Sequence, residues 1–169
     1  MAGRSLYFAY GSNLDPVQTK RRCPGSDAVG MAFANGYSLS FPIHSDGDWK
    51  GGVASIEPHH AVPAEEPRAA IGGGVWGVLY LVTDKDLKTL DGYEGVPEGM
   101  YRRGEVQLKV PPQKKSETAI TYFAMRGFNA PQKPSRKYLN AIVRGAEHHG
   151  LPEAYLASLR SVPTNDVGG

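Results

Sequence analysis

The amino-acid sequence predicts an α+β protein whose strands close into a small barrel with flanking helices. Strand-like segments, either apolar or alternating, occupy most of the chain up to residue 124, and short helices are inserted between them. Two further helices are predicted after the last strand. This order is typical of the α+β class, and about six or seven short strands can close on themselves.

The first part of the chain supplies a buried strand, a short helix and two more strands. Residues 6–10 form an aromatic-rich apolar run that stops at Gly-Ser-Asn, which predicts a strand ending in a tight turn. The helix predicted over 15–22 begins with Asp-Pro, a capping residue followed by proline at the first helical position. Residues 37–41 alternate apolar and polar side chains, and residues 52–56 have the composition of another strand.

The middle of the chain contains the most apolar segment of the protein. Residues 75–82 are rich in β-branched and aromatic side chains and are predicted to form a central strand. Thr83, with Asp86 three residues later, resembles a capping box and begins a helix that runs to about Tyr93. Residues 57–73 combine prolines, alanines and mixed charges without periodicity, so we expect a surface loop there.

Two strands and two helices complete the prediction. Residues 101–110 alternate until Pro-Pro stops them, and residues 118–124 form a further strand. The longest helix begins after Ser135. Its apolar side chains lie on one face of the helix: Leu139, Ile142, Val143 and Ala146. Gly150 ends that helix, and residues 152–159 form a last short one.

Composition narrows the class of protein. In the 169 residues, 19 Lys and Arg nearly balance 17 Asp and Glu, and a net charge of +2 supports neither a nucleic-acid nor a membrane-surface partner. The single cysteine, Cys23, excludes an intramolecular disulfide and a cysteine zinc site. No apolar run approaches the ~20 residues of a transmembrane helix. We therefore expect one soluble, cytoplasmic domain over residues 1–169.

The turn after the first strand is the first candidate site. In Tyr10-Gly11-Ser12-Asn13, a glycine at the strand end precedes Ser-Asn and a helix, which presents several backbone N–H groups in a row. Such groups can hold an anion or a developing oxyanion. The alternative is a plain strand-to-helix turn in which Asn13 tolerates an unusual backbone angle and caps the helix.

A glutamate at a helix end is the second candidate. Glu94 lies just before the helix-stopping Gly95, where the helix macrodipole disfavours an acidic side chain. An acid placed there beside apolar and aromatic neighbours is a candidate proton-transfer group with a raised pKa. The alternative is a solvated glutamate in a turn. Asp91 is a second carboxylate that could act as its partner, although we expect it to bond local backbone or to help fix the turn.

The remaining polar residues carry weaker signals. The histidine pairs at 59–60 and 148–149 are adjacent in sequence and do not face one ligand from a helix, so no metal site is predicted. Basic neighbours could lower the pKa of Cys23, but no base is marked for it, which gives a nucleophilic role little weight. Residues 72–74 are three glycines without the flanking strand and helix of a phosphate loop.

Two motifs and several shorter segments recur in a recognisable order along nearly the whole chain. The opening motif is Tyr7-Phe8-Ala9-Tyr10-Gly11-Ser12-Asn13-Leu14. The second motif combines residues 75–80 with Leu90-Asp91, Glu94-Gly95 and Gly99-Met100-Tyr101. Shorter matches follow the same order and spacing at residues 49–54, 121–122, 134–138, 145–146, 150–155 and 165–166. Together they resemble the γ-glutamylcyclotransferase (AIG2-like) family, whose catalytic-glutamate segment matches the second motif.

The resemblance implies a small mixed β-barrel and a reaction without cofactor or metal. In that reaction the α-amino group of a γ-glutamyl compound closes on its own γ-carbonyl, which releases 5-oxoproline and an amine, a step associated with glutathione metabolism. Glu94 matches the catalytic glutamate, and one carboxyl with a pKa near neutrality can serve as base and then as acid. A homodimer is also implied.

The resemblance also implies a set of substrate-binding residues. They comprise most of the opening motif and three tyrosines: Tyr7, Phe8, Ala9, Tyr10, Gly11, Ser12, Asn13, Tyr101, Tyr122 and Tyr138. Tyr138 resembles a direct substrate contact, although a tyrosine with an apolar body and a polar tip is equally typical of a cavity wall. The segment 57–73 is longer than expected for this branch and could rim the cavity.

Three functions remain open from the sequence alone. The first is an enzyme that acts on γ-glutamyl-amino acids. The second is a cyclotransferase for γ-glutamyl amines or for a γ-glutamyl-capped biosynthetic intermediate. The third is a non-catalytic AIG2-like module that binds a small γ-glutamyl ligand or a protein, which the retained Glu94 and complete turn disfavour.

Overall fold

Strands dominate the first two-thirds of the chain and two helices follow, as the sequence predicts. A computed structural model describes residues 3–59, 73–112, 115–125 and 132–165. The strands within these ranges are β1 (Arg4–Ala9), β2 (Asp27–Ala34), β3 (Tyr37–Ser45), β4 (Gly51–Pro58), β5 (Val75–Thr83), β6 (Tyr101–Val110) and β7 (Lys115–Ala124). The α-helices are α1 (Pro16–Arg22), α2 (Asp84–Tyr93), α3 (Arg136–His148) and α4 (Glu153–Arg160), and a 3₁₀ helix spans Ser12–Leu14. The predicted α+β class is confirmed.

Five of the strands close a barrel in the order β1-β5-β2-β6-β7. β1 pairs antiparallel with β5, with Tyr7 opposite Tyr80, and closes the barrel by a parallel pairing of Tyr7 with Ile120 on β7. The strands β3 and β4 form a separate two-stranded sheet. The mixed barrel is therefore confirmed, but it contains five strands, and the two segments predicted over 37–41 and 52–56 lie beside it.

Strand β2 has no counterpart among the sequence predictions. Its first four residues are exposed, and the pairing register with β5 shifts between Ala28 and Gly30. This bulge removes the apolar-polar alternation that marks a half-buried strand. The second half, which includes Ala32 and Ala34, is buried against the barrel.

The predicted helix starts are confirmed by their hydrogen bonds. The Asp15 side chain accepts a hydrogen bond from the Val17 N–H at 3.1 Å. Thr83 and Asp86 form the predicted capping box, with both reciprocal bonds at 3.0 Å. Ser135 caps α3 by accepting from the Tyr138 N–H at 3.1 Å, so this cap also places Tyr138 in the first turn.

Helix α3 packs directly on the turn after β1. A Cβ atom at Gly145 would lie 2.2 Å from the Leu14 carbonyl carbon and 2.5 Å from the Asp15 nitrogen. Only glycine permits so close an approach of the helix to this backbone. The packing holds the 3₁₀ helix between the barrel and α3.

Parts of two predictions lie outside the described residues. The segment predicted as a loop over 57–73 is described only at its ends, where β4 continues through Pro58 and residue 73 precedes β5. Residue 60 of the first histidine pair and residue 72 of the glycine run are likewise outside them. Among the described residues, no helix combines the length and the apolar character needed to cross a membrane.

Candidate active site

A small cavity opens where the turn after β1 meets the ends of α1 and α2. It has a volume of about 120 Å³, which suits a ligand smaller than a drug-sized molecule. Its lining comes from β1 and the turn after it, α1, the β3–β4 hairpin, the end of α2, β6, β7 and α3. The polar lining side chains are Tyr7, Tyr10, Ser12, Asn13, Arg22, Ser45, Tyr93, Glu94, Tyr101, Thr121, Tyr122 and Tyr138, with Gly11, Trp49, Val53, Ala54 and Met100 completing the wall.

The 3₁₀ helix presents its amino end in the wall of this cavity. Its internal bonds run from the Leu14 N–H to the Gly11 carbonyl and from the Asp15 N–H to the Ser12 carbonyl, both at 3.0 Å. The N–H groups of Ser12 and Asn13 therefore begin the helix without an acceptor inside it. These N–H groups lie in the turn that lines the cavity, which is where the sequence predicts backbone donors.

Asn13 holds the turn through its side chain. Its Oδ1 accepts hydrogen bonds from Gln18 Nε2 at 3.0 Å and from Arg22 Nη1 at 3.1 Å. Its Nδ2 donates to the Tyr7 hydroxyl at 3.0 Å. Asn13 has no positive φ and does not cap a helix, so the alternative of a permissive, capping residue is wrong.

Glu94 follows the last residue of α2 and lines the cavity. Its backbone N–H donates to the Leu90 carbonyl at 2.8 Å, which fixes the residue at the helix end. The residue keeps some accessible surface toward the cavity, but the surrounding protein strips water from the carboxyl. This burial raises the pKa of Glu94 to about 7, even though the positive charge of Arg22 acts to lower it. Within the described ranges, no hydrogen bond or ion pair engages the Glu94 carboxyl.

Asp91, one turn earlier on α2, is tied to the barrel. Arg103 donates to its two carboxylate oxygens at 2.9 and 2.6 Å, and the Tyr122 hydroxyl donates to Oδ1 at 2.7 Å. Burial acts to raise the pKa of Asp91, but these hydrogen bonds outweigh it and lower the pKa. The Asp91 side chain thus binds β6 and β7 rather than local backbone, and only its carbonyl, which accepts from the Val96 N–H at 2.9 Å, fixes the turn.

Three tyrosine hydroxyls of the cavity are anchored to backbone groups. Tyr10 donates to the Tyr122 carbonyl at 2.5 Å, and Tyr101 donates to the Ala54 carbonyl at 2.6 Å. The Ala54 N–H donates to the Tyr138 hydroxyl at 2.9 Å. The Tyr138 hydroxyl oxygen thus accepts a hydrogen bond from Ala54, and its own proton can still donate to a ligand.

The structure gathers most of the expected substrate-binding residues around the cavity. Tyr7, Tyr10, Gly11, Ser12, Asn13, Tyr101, Tyr122 and Tyr138 line it together with Glu94. Phe8 and Ala9 do not line it, because both are buried in the core with at most 1% of their surface exposed. Phe8 and Ala9 belong to the motif because they are part of strand β1, whose apolar side chains pack in the core.

Comparisons with known proteins agree with this geometry. The AIG2-like family matches residues 74–159. The human γ-glutamylcyclotransferase is 33% identical over 168 residues, which are 97% of this chain and 81% of the human protein, and the bovine γ-glutamylcyclotransferase is also 33% identical with the same coverage. The chain belongs to the γ-glutamylcyclotransferase (AIG2-like) family.

The fold agrees with that of solved members of the family. A solved structure described as γ-glutamyl cyclotransferase superposes with a TM-score of 0.85 at 30% identity, covering 99% of this chain and 92% of that one. The five-stranded barrel, the small second sheet and the helices are thus the γ-glutamylcyclotransferase fold. The family resemblance inferred from the motifs is confirmed.

Arg22 is a cavity residue that the sequence analysis did not assign to the site. It ends α1, donates to Asn13 and lies with its guanidinium carbon 4.2 Å from the centre of the Tyr93 ring. The spacing of Gln18 and Arg22 could have revealed it, because residues four apart on a helix share a face and both side chains contact Asn13 Oδ1. Trp49, whose ring centre lies 5.0 Å from that of Tyr138, was matched to the family but given no role.

The other nucleophilic and metal-binding candidates lie outside the cavity. Cys23 is fully buried, and this burial raises the pKa of its thiol to about 12, which suppresses the thiolate. His148 and His149 end α3, where His149 Nε2 lies 3.1 Å from the Tyr80 hydroxyl. Within the described part of the chain, His, Cys, Asp and Glu side chains form no group of three that could hold a metal ion.

Proposed function

We propose that the protein converts γ-glutamyl-amino acids to 5-oxoproline and a free amino acid, with Glu94 as the general acid and base. The observation that carries the proposal is the Glu94 carboxyl, which has a pKa of about 7 and lines the same small cavity as the turn at Gly11, Ser12 and Asn13. A carboxyl that titrates near neutrality can accept and return a proton at nearly equal cost. We propose that all 169 residues act as one cytoplasmic domain.

The first step is the attack of the substrate's own α-amino nitrogen on its γ-carbonyl carbon. Glu94, as the carboxylate, takes a proton from the α-ammonium group so that the nitrogen lone pair becomes available. A new C–N bond forms while the carbonyl π electrons move to oxygen. Closure of a five-membered ring is favoured when the chain is held folded, because both reacting groups belong to one molecule.

The oxyanion formed in this step requires donors. In our proposal the N–H groups of Ser12 and Asn13, at the start of the 3₁₀ helix that lines the cavity, supply them. The packing of Gly145 against Leu14 fixes the position of these donors before substrate arrives. Donors that are already in place need no reorganisation as charge develops on the oxygen.

The second step breaks the original amide bond. The protonated Glu94 returns its proton to the leaving nitrogen as the original C–N bond breaks and the carbonyl re-forms. The ring nitrogen still carries a second proton, which Glu94 accepts and passes to the departing amino group, so the amino acid leaves as its ammonium form. The products are 5-oxoproline and the free amino acid, and Glu94 is again a carboxylate. In this scheme Tyr101 and Tyr122 shape the wall, since their hydroxyl protons are held by Ala54 and Asp91, whereas Tyr138 can donate to the substrate.

A substrate panel tests the proposal. Purified protein is incubated with γ-glutamyl dipeptides, γ-glutamyl-lysine and glutathione, and 5-oxoproline is quantified. Release from the dipeptides supports the proposal, and the ranking of amino acids describes the leaving-group side of the cavity. Release only from γ-glutamyl amines would reassign the substrate class. A folded protein that binds γ-glutamyl-alanine but releases nothing would be a binding module. Gel filtration of the same sample tests the homodimer.

A further inference from the structure

The Arg22 guanidinium is held at the cavity in a fixed orientation. Its Nη1 donates to Asn13 Oδ1 at 3.1 Å, and its guanidinium carbon lies over the Tyr93 ring, 4.2 Å from the ring centre. Both contacts involve neutral groups, so neither cancels the positive charge. The residue is half-buried and lines the same cavity as Glu94.

Arg22 forms no ion pair in the part of the chain that the structure describes, although its charge acts on the Glu94 carboxyl. Arg4, Arg103 and Arg144 each donate to an aspartate at 2.6–2.8 Å, in contrast to Arg22. In addition, the Nε atom of Arg22 is buried without a hydrogen-bond partner. A buried donor left unpaired costs free energy that an acceptor on a ligand would recover.

We propose that Arg22 binds the α-carboxylate of the γ-glutamyl group, an assignment that rests on the proposed function. A guanidinium presents parallel N–H donors that match the two oxygens of a carboxylate. In a γ-glutamyl compound the α-carboxylate and the α-amino group share one carbon. The residue that holds the carboxylate must therefore lie beside the base that serves the amine, and Arg22 packs on Tyr93, the residue before Glu94.

A carboxylate on the leaving amino acid is the other source of the same chemistry. Arg22 and Trp49 also line a surface groove between α1 and α3 that adjoins the cavity. A leaving group that extended into this groove would also pass Arg22. We assign Arg22 to the α-carboxylate because its contacts with Asn13 and Tyr93 place it against the turn and the glutamate.

Ligand binding tests the assignment without requiring turnover. Isothermal titration compares 5-oxoproline, which keeps the α-carboxylate, with 2-pyrrolidinone, the same ring without it. We expect the wild type to bind 5-oxoproline about 10- to 150-fold more tightly, the range for hydrogen bonds to charged groups. Arg22→Gln is expected to lose this preference. The matched control is Arg21→Gln, which removes the same charge from the exposed neighbour and is expected to keep the preference.

A preference retained in Arg22→Gln, or absent from the wild type, would overturn the assignment whatever the turnover. Conversely, a wild type that prefers 5-oxoproline through Arg22 but releases no product from the substrate panel would keep the subsite and reject the proposed enzyme. If Arg22→Gln does not fold, Arg22→Lys replaces it. That variant keeps the charge but lacks the paired donors, so we expect a smaller preference, and an unchanged one would overturn the assignment.

Two substrates separate the two sources of the carboxylate. γ-Glutamyl-alanine and γ-glutamyl-ethylamide share the α-carboxylate, but only the first carries a carboxylate on the leaving group. We expect Arg22→Gln to reduce kcat/KM by the same factor for both. A reduction confined to γ-glutamyl-alanine would move Arg22 to the leaving group and overturn the assignment.

Discussion

Asp91 and Glu94 lie three residues apart at the carboxyl end of α2, and their pKa values are shifted in opposite directions. Asp91 is held ionised by hydrogen bonds from Arg103 and Tyr122, whereas burial favours the neutral form of Glu94. In the proposed mechanism these two neighbouring carboxyls have different roles, because Asp91 positions the barrel side of the site and Glu94 transfers protons. The difference comes from their partners rather than from their place in the sequence.

Turnover should separate the roles of these two carboxyls. Glu94→Gln keeps the shape of the side chain but cannot carry a proton, so we expect kcat to fall by at least about 100-fold. In Asp91→Asn the side-chain oxygen can still accept from Tyr122, and we expect a clearly smaller loss. Steady-state 5-oxoproline release at pH 8 measures both. Equal losses in two folded variants would contradict the division of roles.

The stability of the wild type should fall as pH rises through the Glu94 titration. The unfolded carboxyl has a pKa of 4.5 and the folded one of about 7, so the folded state binds more protons between these values. The Glu94 carboxyl therefore lowers the free energy of unfolding least below pH 4.5. Above pH 7 it lowers the free energy of unfolding by its full amount, at most about 3 kcal/mol. Glu94→Gln should melt a few degrees higher than wild type at pH 8. A lower melting temperature for the variant would argue against a buried, unpaired carboxyl.

The pH profile should report the charge of Arg22 as well as that of Glu94. We expect kcat/KM to fall below about pH 7 as Glu94 becomes protonated in the free protein. Because the guanidinium holds the pKa of Glu94 down, Arg22→Gln should move this limb to higher pH, while Arg21→Gln should move it less. The titration of the free substrate amine is the same for every variant. The difference in the pH of this limb between a variant and the wild type therefore reports the pKa of Glu94. A limb that stays in place in Arg22→Gln would contradict the coupling.

Gly145 should tolerate no side chain. Gly→Ala in a helix usually stabilises by about 1 kcal/mol, but here the new Cβ would lie 2.2 Å from the Leu14 carbonyl carbon. We expect Gly145→Ala to lower the melting temperature and kcat together, because the turn that carries the Ser12 and Asn13 donors must move. Gly92→Ala on α2 meets nothing within 4 Å and serves as the stability control, with an unchanged or higher melting temperature.

Tyr138→Phe should weaken binding more than it slows chemistry. Loss of the hydroxyl leaves the buried Ala54 N–H without its acceptor, a cost of about 1–3 kcal/mol in stability. If the hydroxyl also donates to the bound substrate, KM rises more than kcat falls. Initial-rate kinetics and a urea unfolding curve measure the two effects. Kinetics unchanged from the wild type would leave Tyr138 a wall residue.

Local signals in the sequence were sufficient for most elements and for the two central features of the site. Capping residues such as Asp15 and Ser135, and the apolar stripe of α3, act over one or two helical turns and are visible in a single chain. Glu94 stood out because its place at a helix end opposes the macrodipole. The turn after β1 stood out through its glycine and its short polar residues.

The features that the sequence did not reveal depend on long-range contacts. Strand β2 is held by pairing with β5, some fifty residues later, and its bulge hides the alternation. Asp91 contacts Arg103, and Arg22 contacts Tyr93. Each contact joins two different elements, and no local sequence pattern encodes that these elements lie close together. The position of β3 and β4 outside the barrel is likewise set by tertiary packing.

The pairing of β1 has a consequence for synthesis on the ribosome. Its neighbours in the barrel are β5 and β7, which begin at Val75 and Lys115, so β1 is made long before either partner exists. At about 5–20 residues per second the nascent chain displays the apolar run that ends at Ala9 for several seconds. Translational pauses ahead of Thr83 should lengthen this interval and increase the chain's dependence on chaperones.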